Sequence, residues 1–456
     1  MNISRPAFCF AIVVLAVLGA AALSAPDPHT EEKHMLPVGA AKVDITPEWP
    51  VRMYGYAFRK TESEGVAGRL KASALAIGAD DGDGPAVLLT VDNGAVPTSL
   101  RDEVLRRVRA KIALKPERFM LCNAHIHSGP DLHGMHALSG EEHERLARYA
   151  AQLADRLEQV VLDALKSRRM ARLAWTTGTV GFAANRRVLK DGRWTGFGAV
   201  PDAPVDHGLR LLRATDAEGR LLAVVVNYAC HNTTLRGDFR QIHADWAGCA
   251  QEFIELDHPG VVAMVTLGCG ADADPHPHGT VELCRRHGRS VADEVGRLLA
   301  GPLKPLAPPL LARMKVLEIP FCEPPPLDDL RPLAEKSYPL KQLLASLEKG
   351  ARPPAAQPYQ IAAWSFGDDL TMIFLANEVV VDYAIRLRRE FGRDRLWINA
   401  YANEVSWYVV SERLVREGGY EVNNSLNALV TWGRPETLRP PLEDRIVDAV
   451  RALLAR

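Results

Sequence analysis

The chain has no Cys-x-x-Cys pair, no excess of either charge and no internal repeat. Past its N-terminal segment it has no apolar stretch long enough to cross a bilayer. The first absence argues against a thiolate zinc site. The formal net charge is −1, with Lys and Arg spread along the chain, so there is no basic footprint for nucleic acid. Cysteines are few, seven in all, and Cys122, Cys230 and Cys269 sit in apolar strand-like stretches, where small buried thiols are common. Which cysteines pair, if any, is not readable from their spacing.

What is present is an ordinary globular composition, 47% hydrophobic and 24% charged over 456 residues, enough for a large core. The N-terminus differs. One Arg precedes an apolar run from Ala7 to about Gly19, and small residues follow to Ala25. This pattern predicts a secretory signal peptide over 1–25 and a secreted or periplasmic protein, the alternative being an uncleaved anchor. No cysteine follows the small residues, which argues against a lipoprotein. Residues 26–38 read as a disordered leader and 39–456 as one catalytic domain.

Strand-like and helix-like segments alternate through that domain. "LKASALAIG" and "AVLLTVD" predict strands, and "TSLRDEVLRRVRAKIAL" predicts a helix capped by Thr98 or Ser99. Helices are also expected over 140–166, 246–256, 280–300, 381–391 and 442–456. The alternation implies an α/β fold, a large single domain of mixed sheets flanked by helices. The Pro-rich passage 302–327 is the best linker candidate, although "LLARMKVLEIPF" within it reads as a strand.

Polar residues gather at four strand ends. "CNAHIHSGP" puts His125 and His127 two apart, on one face if the strand continues through them. His231 ends the apolar run "LLAVVVNYAC", Asp272 and Asp274 follow "VVAMVTL", and Glu378 ends "TMIFLANE". Sites in open α/β sheets form at strand ends. Two or three His with one carboxylate and a place for water is the ligand set of a catalytic zinc. Each residue also has a plainer reading. The histidines can be hydrogen-bonded structural groups, and the two aspartates can be turn residues before Pro275. Two simpler motifs fail. A metallo-β-lactamase needs His-x-His-x-Asp-His, and Asp131 and His133 come too late. An amidohydrolase barrel places its His pair on the first strand, whereas at least three strands precede this one.

Taken together, the blocks resemble the catalytic N-terminal domain of the neutral/alkaline non-lysosomal ceramidases, from about Gly39 to Asn424. "AAKVDITP" with "MYGYAF" is similar to that family's opening. "NAHIHSGP" resembles its Thr-His-Thr-His-Ser-Gly-Pro motif, and "NRR" at 185–187 its Asn-Arg-Ser segment. "NYACHNTTL", "HADWAG", "LANE" and "SWYVVSERLVREGGYE" resemble its later blocks, in order. The resemblance implies that His125, His231, Glu378 and Tyr408 hold Zn²⁺. It implies that His127 contacts the reacting amide in an acid/base role, and that Arg186 and Tyr420 face the substrate carbonyl. It further implies a lipid amide such as N-acyl sphingosine as substrate, and it is compatible with peripheral membrane contact. The alternatives are a different amide or ester hydrolase on the same scaffold, or a non-catalytic metal- or ligand-binding protein. Oligomeric state is not readable.

The chain departs from the family pattern at named places. Asp274 stands where the family has a serine. A carboxylate there can serve as a general base but not as an alkoxide nucleophile. Asn377 replaces a glycine, and Glu404 and Trp407 are larger than the usual residues near Tyr408. The family's C-terminal immunoglobulin-like domain has no counterpart in this sequence.

Overall fold

The computed structural model describes Met1 and residues 35–455. Apart from Met1, the expected signal segment and residues 26–34 of the expected leader lie outside the described residues. β1 (Met35–Asp44) starts within the span read as leader, because Leu36 and Val38 are already core residues.

The chain continues through β2 (Lys71–Ile77), β3 (Ala86–Val91), β4 (Phe119–Asn123) and β5 (Arg169–Thr179) to a hairpin of β6 (Ala183–Lys190) and β7 (Arg193–Val200). Next come β8 (Gly208–Asp216), β9 (Leu221–Tyr228), β10 (Val262–Leu267), β11 (Ala273–Pro275) and β12 (Lys304–Leu306). The last third holds β13 (Leu310–Pro320), β14 (Ala356–Phe366), β15 (Leu370–Leu375), β16 (Glu378–Val379), β17 (Leu396–Asn399) and β18 (Tyr408–Val409).

Nine strands form one mixed sheet in the order β10-β9-β8-β5-β1-β2-β3-β4, with β12 beside β5. The pairs β3–β4 and β9–β10 are parallel. A second sheet runs β13-β14-β15-β17. The period-2 pattern explains how the two stack. In β9, Val224 and Val226 turn toward Trp246 on the helix Asp245–Asp257, while Val225 turns toward Met264, Trp364 and Phe374 between the sheets. With both faces covered, a strand must be apolar throughout, as "LLAVVVNY" nearly is. The far face of β14 and β15 packs on the helices Val381–Phe391 and Leu442–Leu454. The result is the mixed α/β architecture expected.

Some expectations fail locally. The passage 302–327 does not separate domains: β12 pairs with β5 in the large sheet and β13 with β14 in the second, so it stitches the two together. The helix Thr98–Arg109 has Pro97 at its N-cap position and no side-chain cap; the fixed φ of proline sets its first turn instead. β5, β6 and β7 occupy a span for which no element was expected. The six cysteines among the described residues are all unpaired. Among the described residues, no helix is long and apolar enough to cross a membrane.

The large sheet coils until its edge strand β10 reaches β4. Residues 400–403 clasp the two edges. Ala400 N–H donates to Leu267 O (2.9 Å), Asn123 N–H to Tyr401 O (3.1 Å) and Asn403 N–H to Leu121 O (2.7 Å). The loops after β4, β9, β10 and β15 therefore open at one place.

Candidate metal centre

His125 and His127 follow β4 but are not part of it. His125 has φ 51°, and Ile126 forms a lone parallel bridge with Asn232, beside His231. The left-handed turn at His125, not strand alternation, brings the two rings together. Their planes stand 77° apart, and their Nε2 atoms lie 3.4 Å from each other. His231 is held from three sides. Its N–H donates to Ala273 O (3.0 Å), its carbonyl accepts from Trp246 Nε1 (2.8 Å), and its Nδ1 meets Gly270 O (3.0 Å).

The four groups converge on one point. Glu378 Oε2 lies 3.2 Å from His125 Nε2 and 3.0 Å from His231 Nε2. The ring nitrogens of His125, His127 and His231 fall within 4.8 Å of one another. His125 Nδ1 lies 2.8 Å from Gly94 O and His231 Nδ1 faces Gly270 O. A carbonyl only accepts, so both Nδ1 atoms carry the proton, and in the neutral rings both Nε2 atoms are bare lone pairs. Burial first, and then the Arg186 charge, push His231 toward that neutral form. Burial opposes charge on Glu378, and what holds its carboxyl well below the ordinary range is positive charge at the His125 and His231 nitrogens, a charge that neutral rings leave to a bound cation. Lone pairs of two imidazoles thus face a carboxylate oxygen at contact distance. A cation between them would resolve that repulsion, and two imidazoles with a carboxylate are donors that suit zinc. Carbonyl partners on the far ring nitrogens are the usual way such ligands are oriented.

A second ring of polar groups surrounds this point. Tyr408 is the ladder partner of Glu378. Arg186, buried, donates through Nη2 to Tyr408 Oη (3.1 Å), through Nη1 to Asp274 Oδ1 (3.1 Å) and through Nε to Glu421 Oε1 (3.0 Å). Asp274 also meets Arg236 Nη1 (3.3 Å) and Thr233 Oγ1 (3.1 Å). Burial alone would raise the Asp274 carboxyl, but Arg186, His231 and Arg236 drive it far below the usual carboxylate range. Burial, followed by the neighbouring His125 and His231, lowers His127 well below an ordinary imidazole. Tyr420 stands at the rim, 41% exposed, with its ring 5.7 Å from that of Tyr408.

All eight residues named from the sequence therefore meet in one place. Asp272 does not join them: its Oδ1 accepts from Val381 N–H (2.9 Å) and its Oδ2 from Asn185 Nδ2 (3.0 Å), bracing a helix start and β6. Asp131 accepts from Gly134 N–H (2.9 Å) and closes a turn. Sequence reasoning missed Glu421, Arg236 and Thr233, and also Tyr401, whose ring lies 4.8 Å from His125. It missed Tyr54 as well, which touches both His125 and His127. Two aromatic rows run outward from the centre: His127–Tyr56–Phe58 on one side and Tyr408–Tyr420–Phe197 on the other. Phe58 is 68% and Phe197 53% exposed, so each row ends in an apolar side chain at the surface.

Comparison with known proteins gives consistent matches. Residues 36–266, half of the chain, match the family described as neutral/alkaline non-lysosomal ceramidase, N-terminal. The fold is similar to the crystal structure of a neutral ceramidase from Pseudomonas aeruginosa, with a TM-score of 0.69 and 19% identity, over 92% of this chain and 76% of that one. It is equally similar to a ceramidase complexed with C2, with a TM-score of 0.69 and 20% identity, over 91% and 75% of the two chains.

Proposed function

The chain belongs to the neutral/alkaline non-lysosomal ceramidase family, and from that premise we propose that it is an exported, zinc-dependent hydrolase of a linear amide, N-acyl sphingosine or a related lipid amide. The observation that carries the reading is the convergence of His125, His127 and His231 nitrogens with Glu378 Oε2 while the outer nitrogens of His125 and His231 are tied to backbone carbonyls. His125, His231, Glu378 and Tyr408 are assigned as the residues that hold Zn²⁺. A zinc ion there would polarise an amide carbonyl and bring a water's pKa toward about 7.

The remaining roles fall to the chain's own groups. Burial favours the neutral form of His127, and its Nε2 lies beside that of His125; its assigned role is to take and return a proton at the reacting amide. Arg186 points one nitrogen at Tyr408 Oη and is fixed from behind by Glu421 and Asp274. Tyr420, at the rim, is placed to meet the substrate as it enters. Asp274 is a poor proton acceptor because two guanidiniums hold its charge; its assigned role is to fix Arg186 and Arg236. The exposed ends of the two aromatic rows suit apolar chains on either side of the scissile bond, and support peripheral contact with a lipid surface.

Metal analysis of the purified protein, with hydrolysis of N-acyl sphingosine and of shorter N-acyl amides, tests the proposal. One zinc per chain and cleavage abolished in His231→Ala are expected. A metal-free, active protein would refute it. Export is tested separately, by mass spectrometry of secreted protein, which should begin near residue 25 or 26.

A further inference from the structure

We propose that Asn377 is the positioning residue that sets Glu378 and Tyr408 at the centre, an inference that rests on the metal-hydrolase reading above. β16 and β18 are two residues each and pair in parallel, Glu378 against Tyr408 and Val379 against Val409. A ladder that short does not hold its own register in isolation. Something outside the pair must fix it, because one slipped residue would turn both side chains away.

Asn377 supplies four bonds to the Tyr401–Trp407 turn that leads into β18. Its N–H donates to Glu404 O (2.7 Å) and its carbonyl accepts from Tyr401 N–H (3.0 Å). Its side-chain Oδ1 accepts from Ser406 N–H (2.7 Å) and from Trp407 N–H (3.2 Å). The next residue closes the join: Glu378 N–H donates to Trp407 O (3.0 Å). Asn377 is 1% exposed and has φ 69°. Among residues with a side chain, asparagine is one of the few that enter this region readily. A glycine would meet the backbone requirement alone and leave the Ser406 and Trp407 amides without their shared acceptor. The departure from glycine at this position thus adds a clasp, and the clasp is one residue from the carboxylate that faces His125 and His231.

The test compares metal-free wild type, Asn377→Gly and Asn377→Asp by titration with Co²⁺, followed by its visible absorption and by chelator competition. Asn377→Gly keeps the backbone geometry and removes only the acceptor. The expected result is a Co²⁺ dissociation constant raised about 10–100-fold, the scale of losing an outer-shell support. The melting temperature of the metal-free protein should change little, and kcat should fall with KM held. Asn377→Asp retains an acceptor oxygen and should bind Co²⁺ within several-fold of wild type. A folded Asn377→Gly protein that binds Co²⁺ as tightly as wild type overturns the role of Asn377 and leaves the hydrolase reading intact. A wild type that binds no Co²⁺, or binds it equally after Glu378→Gln, overturns the hydrolase reading itself. Hydrogen exchange in metal-free wild type gives an answer even if the glycine variant does not fold. Slow exchange at the Ser406 and Trp407 amides supports the clasp, and exchange as fast as in an open loop overturns it.

Discussion

His231 Nε2 and Glu378 Oε2 lie 3.0 Å apart, and in the neutral ring neither atom has a proton to offer the other. A bound cation would convert that repulsion into two bonds, and metal and fold would then stabilise one another. With free metal about a thousandfold above its dissociation constant, the gain is about 4 kcal/mol. Chelation should therefore lower the melting temperature, and added Zn²⁺ should restore it. His231→Ala should neither retain metal nor respond to either treatment. A thermal scan with parallel metal analysis checks both arms.

Asp274 separates two mechanisms. As a general base, its loss would cost about 10²–10⁴-fold in rate and remove a limb of the pH profile. As an anchor for Arg186 and Arg236, its replacement by asparagine keeps one acceptor oxygen toward Arg186. Asp274→Asn is expected to retain metal, lose about tenfold or less in kcat, and keep the shape of the wild-type pH profile. A vanished acidic limb in steady-state kinetics would return the base role to Asp274.

Gly55 has φ 102°, and a Cβ there would overlap the His127 ring. Gly55→Ala therefore imposes a disfavoured backbone and displaces His127 together. Its cost should be about 1–3 kcal/mol in stability. If His127 handles the proton, kcat should fall far more than metal content. Chemical denaturation and zinc analysis of the same sample measure the two effects separately.

Asp272 gives a pH signature. Burial, followed by the nearby Asp382 charge, raises its carboxyl from 3.8 to about 6. Below pH 4 both folded and unfolded states hold the proton. Between about 4 and 6 only the folded state does, so this residue's stabilising contribution is lost as pH rises through that window. The loss amounts to about 3 kcal/mol by pH 7. Asp272→Asn carries a fixed offset from its altered hydrogen bonds but no titration. Its stability relative to wild type should therefore rise by about that amount between pH 4 and 7 in denaturant melts. A flat difference would show that Asp272 titrates alike in both states.

The amphipathic helices and the strands buried on both faces were legible because each carries its periodicity locally, as in "LLAVVVNYAC". Of the eight candidate residues, His125, His127, His231, Asp274 and Glu378 were legible as polar groups near the ends of apolar runs, whereas Arg186, Tyr408 and Tyr420 came only from the family resemblance. What escaped lacks a local pattern. β7 buries neither face fully, and two glycines interrupt its half-exposed face of Trp194, Gly196, Gly198 and Val200, so little marks it as a strand. Glu421 and Arg186 are 235 positions apart, and neither residue announces the other. The His125 turn escaped because Asn-Ala-His-Ile-His reads as a continuing strand, while the partners it meets there, Asn232 and Tyr401 among them, lie far along the chain. That β10 meets β4 through residues 400–403 is a property of sheet coiling that no single stretch encodes.

The clasp at residues 400–403 also bears on timing. Three imidazoles are synthesised by residue 231, but the carboxylate arrives at 378 and the segment that joins the sheet edges only after 400. Contacts of such sequence separation form slowly and only once the distant partner has emerged. A nascent chain thus carries its histidines without a finished cage. Completion of the centre is a late event in the life of the polypeptide, and a metal held there would be acquired only once the last third of the chain has folded.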